Sequence, residues 1–345
     1  KWFEYVGNEC KNVSENAGLL DMTAFAKCRI SGPGAYDWLD HIVANRLPQT
    51  PGRINLCHAL NKNGGVRSEF TILRNEDSSF YLVSAGALER FDHDYLIKNL
   101  PADGSVRYDH LTNQTGVIVI AGPKARLLME RVSEADFSNE AFPWLSAKRI
   151  DVGLAECIAA RINFVGELGW EIHHPIEMQN HVFDLLIERG KTLGLKPFGI
   201  RAMDALRLEK SYRLVGTELS IEYSAHESGL NRFIYQNKGD FVGRDALAAW
   251  QQKGFRNAFV TLEVHDTKDA DAIGNNAIFK NGVNVGRATS GGFGFRVNKS
   301  LALGMVRPDL GDAGTELDMD ILGRIHRVTV IEESPYDPSN TKLQS

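Results

Sequence analysis

Apolar and polar positions change rhythm several times along the chain. Residues 25–45, FAKCRISGPGAYDWLDHIVAN, open with strand-like alternation and turn at Gly32-Pro33-Gly34. Ala35, Trp38, Leu39, Ile42 and Val43 then fall at i, i+3, i+4, i+7 and i+8, which puts one apolar stripe on a helix. Residues 116–133, GVIVIAGPKARLLMERVS, repeat the plan, with Gly122-Pro123 at the turn and Ala125, Leu128 and Val132 inward. Proline suits the first helical turn in both, because the N–H it lacks has no helical partner there. Two strand–Gly-Pro–helix units predict an internal duplication into two similar α+β lobes. The alternative is chance likeness between common strand–helix units.

Between the units, Glu69–Arg74 (EFTILR) and Phe80–Ser84 (FYLVS) flank a polar NEDSS turn and predict a hairpin. Ala155–Phe164 (AECIAARINF) reads as a further strand. Residues 176–194 and 199–212 read as helices, with Val182, Leu185, Leu186, Leu193 and Ile200, Met203, Leu206 buried. From about residue 255 the texture becomes short strands, FVTLEV, VNVGRATS, SLALGMV, ELDMDIL and HRVTVI. Turns such as Asn281-Gly282 and Gly323-Arg324 separate them, and close spacing predicts a small β module, barrel or sandwich. The end, SPYDPSNTKLQS, is polar and expected to be loose. The expected division is 1–250 for the two lobes, 251–335 for the β module and 336–345 for the tail.

Composition narrows the function classes. The 345 residues are 43% hydrophobic and 24% charged, ordinary for a globular chain with room for a large core. A net charge of −5 gives no bulk electrostatic case for nucleic acid or an anionic membrane. No apolar run approaches the roughly 20 residues a membrane span needs. KWFEYVGNEC lacks the apolar core of a signal peptide, and the chain starts at Lys1 without Met. Cys10, Cys28, Cys57 and Cys157 form no CxxC, so reduced thiols in a cytosol-like compartment, or a mitochondrial matrix, are expected.

Familiar catalytic signatures are missing. There is no GxGxxG, no GxxxxGK[ST], no HExxH and no GxSxG. Ser290–Phe295 (SGGFGF) is glycine-rich but is expected between strands, so no phosphate cradle is read there. His173-His174 and Asp92-His93-Asp94 have metal-ligand character, against a plainer reading as solvated or edge-strand residues. Carboxylates remain. Asn163–Ile172, NFVGELGWEI, holds Glu167 and Glu171 among glycines and aromatics that argue against a helix. A half-buried Glu171 needs donors, supplied either by an arginine or by a ligand presenting two parallel N–H groups, such as a 2-amino-4-oxo pterin or a guanine. Glu167 reads as a local structural acid. Glu69, after the glycine turn NKNGGVRS, is either a solvated carboxylate at a strand mouth or a general base.

Several stretches together resemble the aminomethyltransferase (glycine-cleavage T-protein) superfamily. Arg161–Ile172 (RINFVGELGWEI) is similar to its R-x-x-Y-T-G-E-x-G-x-E pattern, and Asn61–Phe70 (NKNGGVRSEF) to its N-x-x-G-G segment. Gly199–Gly216 resembles its A-x-[DN]-[SA]-L-R-L-E helix, Lys238–Leu247 (KGDFVGRDAL) its K-x-x-[DF]-[FI]-x-G-[RK] stretch, and Gly286–Val306 its barrel segment. The order is conserved from about residue 2 to 333. WFEYVGNEC, LDMTAFAKCRISGP and AMDALRLEKSYR look most like the folate-binding C-terminal half of dimethylglycine dehydrogenase, dimethylglycine oxidase and sarcosine dehydrogenase.

The resemblance implies two related α/β lobes followed by a β-barrel-like module, with tetrahydrofolate in a central channel. It implies acceptance of the methylene unit from oxidised N-methyl amines, giving 5,10-methylenetetrahydrofolate, with FAD on a removed domain or partner subunit. Glu171 falls on the acid that holds the pterin, with Ile172 and His173 beside it, and Glu69 on the catalytic carboxylate. Phe164 replaces a tyrosine, keeping stacking but losing a hydroxyl. Leu56, Cys57 and His58 fall on a folate-contacting segment, and Phe293 or Phe295 on an aromatic covering the aminobenzoyl part. The family's asparagine after the hairpin is Ala85 here, and its folate-contacting arginine is Met203. Arg201, two positions earlier, lies roughly 200° around the helix and does not replace it, and Arg207 reads equally as a partner of local acids. Rival expectations are a folate-dependent S- or O-demethylase giving 5-methyltetrahydrofolate, and a non-catalytic folate-binding or scaffold protein. The iron–sulfur assembly factors of this fold carry K-G-C-[YF]-x-G-Q-E, whereas Lys238–Asp245 lacks both the Cys and the Gln-Glu.

Overall fold

The computed structural model describes residues 2–267 and 269–345. Helix α1 (Trp2–Glu15), which no pattern above assigned, leads into β1 (Ala17–Asp21). The first lobe follows as β2 (Ala26–Ser31), α2 (Ala35–Ile42), β3 (Ile54–Leu60), β4 (Val66–Arg74), β5 (Phe80–Ser84), α3 (Glu89–Lys98) and β6 (Arg107–His110). The second runs β7 (Thr115–Ala121), α4 (Ala125–Val132), β8 (Ala147–Val152), β9 (Ala155–Ala160), β10 (Gly169–Pro175), α5 (Gln179–Gly190) and β11 (Leu195–Pro197). The two units share the order strand, helix, three strands, helix, strand. Their sheets share it too: β3-β4-β5-β2-β6 in one, β8-β9-β10-β7-β1-β11 in the other, with β1 inserted beside β7. The duplication predicted from the two Gly-Pro turns is therefore real.

Those turns show why glycine is required. Gly32 and Gly122 hold φ of +106° and +132°, a region costly for any side chain. A Cβ on Gly32 would lie 2.4 Å from the Ser105 carbonyl oxygen, and one on Gly122 2.5 Å from that of Val13. Both helices begin at Ala35 and Ala125, two residues after the proline expected inside their first turn.

Each sheet covers one face with helices. In the first lobe Leu39, Ile42, Phe70, Ile72, Phe80 and Leu82 form that core; in the second Leu128, Phe137, Phe142, Trp170, Ile172 and Leu186 do. The other faces of the sheets meet each other through Ile54, Leu73, Tyr81, Val83, Ala147 and Ala160. Farther across the second sheet, the same inner face packs Leu20, Val119 and Ala121 against α1 and α6 (Ile200–Leu208). The seam between these two packing zones positions the site.

After α7 (Arg244–Lys253), six strands close a barrel: β12 (Ala258–Val264), β13 (Ala277–Lys280), β14 (Val283–Gly294), β15 (Lys299–Val306), β16 (Glu316–Ile321) and β17 (Arg324–Ile331). The β module is thus a barrel, and the short β13 is the strand that pattern reading missed.

Four expectations need correction. The strand read over Ala155–Phe164 stops at Ala160, because Asn163 organises a loop from there. Ser290–Gly294 is not between strands but pairs along β15 within β14. Ile200 is 62% exposed at the start of α6 rather than buried, since Ala202, Ala205 and Leu206 carry the buried stripe. The tail does not hang loose: Lys210 Nζ donates to the Tyr336 and Asp337 carbonyls at 3.1 and 2.6 Å, and Leu343 is buried.

Candidate active site between the two lobes

Asn163 builds the approach to Glu171. Its Oδ1 accepts from the N–H groups of Val165 and Gly166 at 3.0 and 3.1 Å, and its Nδ2 donates to the Glu167 carbonyl at 2.7 Å. This side-chain turn replaces strand pairing for the loop and ends at Gly169, where β10 begins. Strand alternation then sorts the side chains. Trp170 and Ile172 enter the second lobe's core, while Glu171 and His173 face the first lobe.

There they line a small cavity that opens to solvent. Ile54, Leu73, Val83, Ile158 and Ala160 make its walls apolar, and Thr71 and Tyr81 add hydroxyls. Glu171 is 8% exposed. Among the described residues, the one basic group within ion-pair distance of it is His173, whose Nε2 lies 3.4 Å from Oε2. The Tyr81 hydroxyl reaches across from β5 to His173 Nδ1 at 3.0 Å. Burial, then the Glu171 charge, holds the Tyr81 phenol protonated far above its usual range. A phenol donating to Nδ1 leaves the ring proton on Nε2, toward Glu171. The acid therefore keeps acceptor capacity on an apolar cavity, and a carboxylate so placed can accept from paired N–H donors.

Glu69 shares the inner face of the first sheet. Glu69, Thr71 and Leu73 share one face of β4; Thr71 and Leu73 line the cavity, and Glu69, two residues or about 7 Å along the strand from Thr71, does not. Its Oε2 meets His58 Nε2 at 2.9 Å, and the two residues are directly paired across β3 and β4. Glu69 keeps partial solvent contact, whereas His58 is 1% exposed.

The other expected site residues separate into groups. Leu56 lies opposite Thr71 in the register and so on the inner face. Cys57 and Ile172 are corrections: both point into the lobe cores, and strand alternation keeps their side chains from the cleft. Burial pushes the Cys57 thiol up to about 12. Phe164 packs on Tyr212 with ring centroids 5.4 Å apart and does not line the cavity. Phe293 and Phe295 pack with Phe3 of α1, at 5.2 and 4.8 Å. Arg201 lies over the Trp2 ring, and Arg207 is held by Asp204, Ser290 and Glu218, so neither faces the cavity.

The readings of Asp92, His173 and His174 as solvated residues are also corrected, since all three are buried. Asp92 accepts from Ser68 and Ser84, and His174 contacts Gln179 at 2.6 Å. Among the described residues, no group of three or more His, Cys, Asp or Glu is disposed to hold a metal ion. Likewise, no described helix is long and apolar enough to cross a membrane.

Glu167 is the structural acid its reading implied. Its Oε1 accepts from Arg296 at 2.8 Å and from the Tyr336 hydroxyl at 2.7 Å. Arg296 also pairs with Glu209, donates to the Leu206 carbonyl at 2.7 Å, and stacks under Tyr336 at 3.7 Å. This clamp ties the barrel, α6, the Asn163 loop and the tail together. Arg296 carried no sequence signal, and neither did Tyr81, whose partner lies 92 residues away.

Comparison with known proteins agrees with the architecture. The GCVT N-terminal domain matches residues 1–238, and the glycine cleavage T-protein C-terminal barrel domain matches residues 257–337. Human mitochondrial dimethylglycine dehydrogenase is 33% identical over 99% of this chain, which spans 40% of that relative's length. An aminomethyltransferase of Thermoanaerobacter sp. (strain X514) is 27% identical over 99% of this chain and 92% of its own. In fold, the glycine cleavage system aminomethyltransferase T of Bartonella henselae matches with a TM-score of 0.86 at 23% identity, covering 96% of this chain and 90% of that one. Duplicated lobes, terminal barrel and both domain matches lead to one assignment: the chain belongs to the glycine-cleavage T-protein (GCVT) family.

Proposed function

We propose that the chain is a tetrahydrofolate-dependent one-carbon transferase. It accepts the methylene unit released when an N-methyl amine of the dimethylglycine or sarcosine type is oxidised. The oxidation belongs to an FAD-dependent unit, on a further domain or a separate subunit. Kinship with a dimethylglycine dehydrogenase favours this donor class, and the family favours the transfer. The observation that carries the reading is Glu171: a buried carboxylate on an apolar cavity with no lysine or arginine at ion-pair distance among the described residues.

The residues fit a reduced pterin. Glu171 would accept the two parallel N–H groups of its 2-amino-4-oxo edge, and the aliphatic walls would take its faces. The space in front of Glu171 is narrow, so the bicyclic ring would seat by separating the facing side chains of the two sheets, with the remainder leaving by the mouth. Tetrahydrofolate supplies the amines that carry the one-carbon unit. His173 and Tyr81 hold the Glu171 carboxylate in place. The apolar walls exclude water around it, which strengthens its hydrogen bonds. Glu69, on the same face of β4 as Thr71, takes up the proton an amine loses on forming its new bond to carbon.

The test mixes the chain with tetrahydrofolate and a flavin-dependent N-methyl amine dehydrogenase turning over its substrate, and identifies the folate product by mass. The expected product is 5,10-methylenetetrahydrofolate, formed faster than without the chain. Formation of 5-methyltetrahydrofolate would instead indicate an S- or O-demethylase. Absence of saturable tetrahydrofolate binding would leave a scaffold.

A further inference from the structure

Glu69 has a single hydrogen-bond partner among the described residues, His58. A glutamate has one more rotatable bond than an aspartate, so a carboxylate required at one point must be held there or it spends its time elsewhere. His58 is built to hold it. The two residues face each other directly across β3 and β4, and the imidazole packs against Phe233 with ring centroids 5.5 Å apart. That packing leaves His58 1% exposed and fixes its ring.

The ring nitrogens differ in a way that sets the proton's place. Nε2 is 2.9 Å from the carboxylate and must donate, because a carboxylate only accepts. Nδ1 is buried with no partner among the described residues. A bare lone pair in that position costs less than an unpaired N–H donor, so the proton resides on Nε2. One Glu69 oxygen is thereby occupied, and the other has no partner among the described residues.

We propose that His58 is the positioning residue for Glu69: its Nε2–H pins one carboxylate oxygen so that the second is presented, in a fixed place, to the proton of the reacting amine. The proposal rests on the reading of Glu69 as the proton acceptor. It assigns His58 to the acid rather than to direct contact with folate.

The test compares the wild-type chain with His58→Gln and His58→Leu. Glutamine places an N–H donor close to the position of Nε2; leucine fills the space and donates nothing. In the coupled assay, His58→Leu should lower kcat by 10- to 100-fold with KM for tetrahydrofolate within about twofold, and His58→Gln should recover most of kcat. A parallel loss in both variants, or unchanged kcat in His58→Leu, would overturn the positioning role. Nitrogen-15 spectra of the ligand-free wild type provide a readout independent of folate. They should show the His58 ring with its proton on Nε2; a proton on Nδ1, or an averaged mixture, would contradict the pairing. If wild type itself fails to bind tetrahydrofolate, the one-carbon reading fails, while the ring spectra still decide the His58–Glu69 pair.

Discussion

At the scale of residues, two glutamates four positions apart meet opposite fates. Glu167 is neutralised by Arg296 and capped by Tyr336, while Glu171 faces a cavity with His173 alone beside it. The difference comes from strand geometry: Glu167 lies in the loop that folds toward the barrel, and Glu171 is the first inward position of β10 after Gly169. Glu69 is assigned a role distinct from Glu171, and the roles separate in experiment. Glu69→Gln keeps size and shape, so tetrahydrofolate affinity should stay within about twofold while turnover falls at least 100-fold, the low end of what a general base contributes. Equal losses of affinity and turnover would break the assignment. Both acids were legible in short motifs. The turn of Cys57 and Ile172 into the lobe cores was missed, although the period-2 alternation sets them opposite His58 and Glu171. Tyr81 was not legible, because it meets His173 only once the two lobes close on each other.

At the scale of elements, the repeated strand–turn–helix units were visible because glycine and proline mark a turn whatever surrounds it. The alternation of the longer barrel strands, set off by glycine turns, was visible for the same local reason, whereas β13, with four residues, offered too little alternation. The Arg296 clamp was invisible, since it joins the turn after β14, α6, the Asn163 loop and the tail, which are neighbours only in three dimensions. Its energetic weight follows from burial. Glu167 and Glu209 are both buried, and burial raises their carboxyls above the usual range, only partly countered by the Arg296 charge. Arg296→Met would leave two buried acids unpaired. Denaturant unfolding should show a loss of about 3–5 kcal/mol, the cost of breaking a buried pair from one side. A loss below about 1 kcal/mol would mean that the clamp does not hold the barrel. The loose end expected of a polar tail fails for the same reason: Tyr336 and Asp337 find partners on Lys210 and Glu167 that local composition does not announce.

At the scale of the whole molecule, buried ionisable groups set a pH limit. Burial raises the thiols of Cys10, Cys28, Cys57 and Cys157 from 9.0 to about 12. Between those values the unfolded chain loses protons that the folded chain keeps, so stability falls as pH rises. Burial acts oppositely on Lys27, lowering its ammonium from 10.5 to about 8. Between 8 and 10.5 the unfolded chain holds the extra proton, so stability rises with pH. Four thiols outweigh one ammonium from a little above pH 8, because a small ionised fraction of each adds up. Unfolding free energy should therefore peak a little above pH 8 and then decline, at about 1.4 kcal/mol per pH unit for each proton in excess. Equilibrium unfolding from pH 8 to 11 checks this, and Cys57→Ala should flatten the decline by about one proton. A stability that keeps rising to pH 11 would contradict the burial of these thiols.

The central claim is that Glu171 binds the pterin edge of a reduced folate. Titration of tetrahydrofolate into the wild-type chain and into Glu171→Gln, followed by calorimetry at matched fold stability, tests it most directly. The amide keeps the shape but removes the charge and one acceptor, so affinity should fall by about 1.5–3 kcal/mol, the strength of a hydrogen bond to a charged group. Equal affinity in the two proteins would contradict the account.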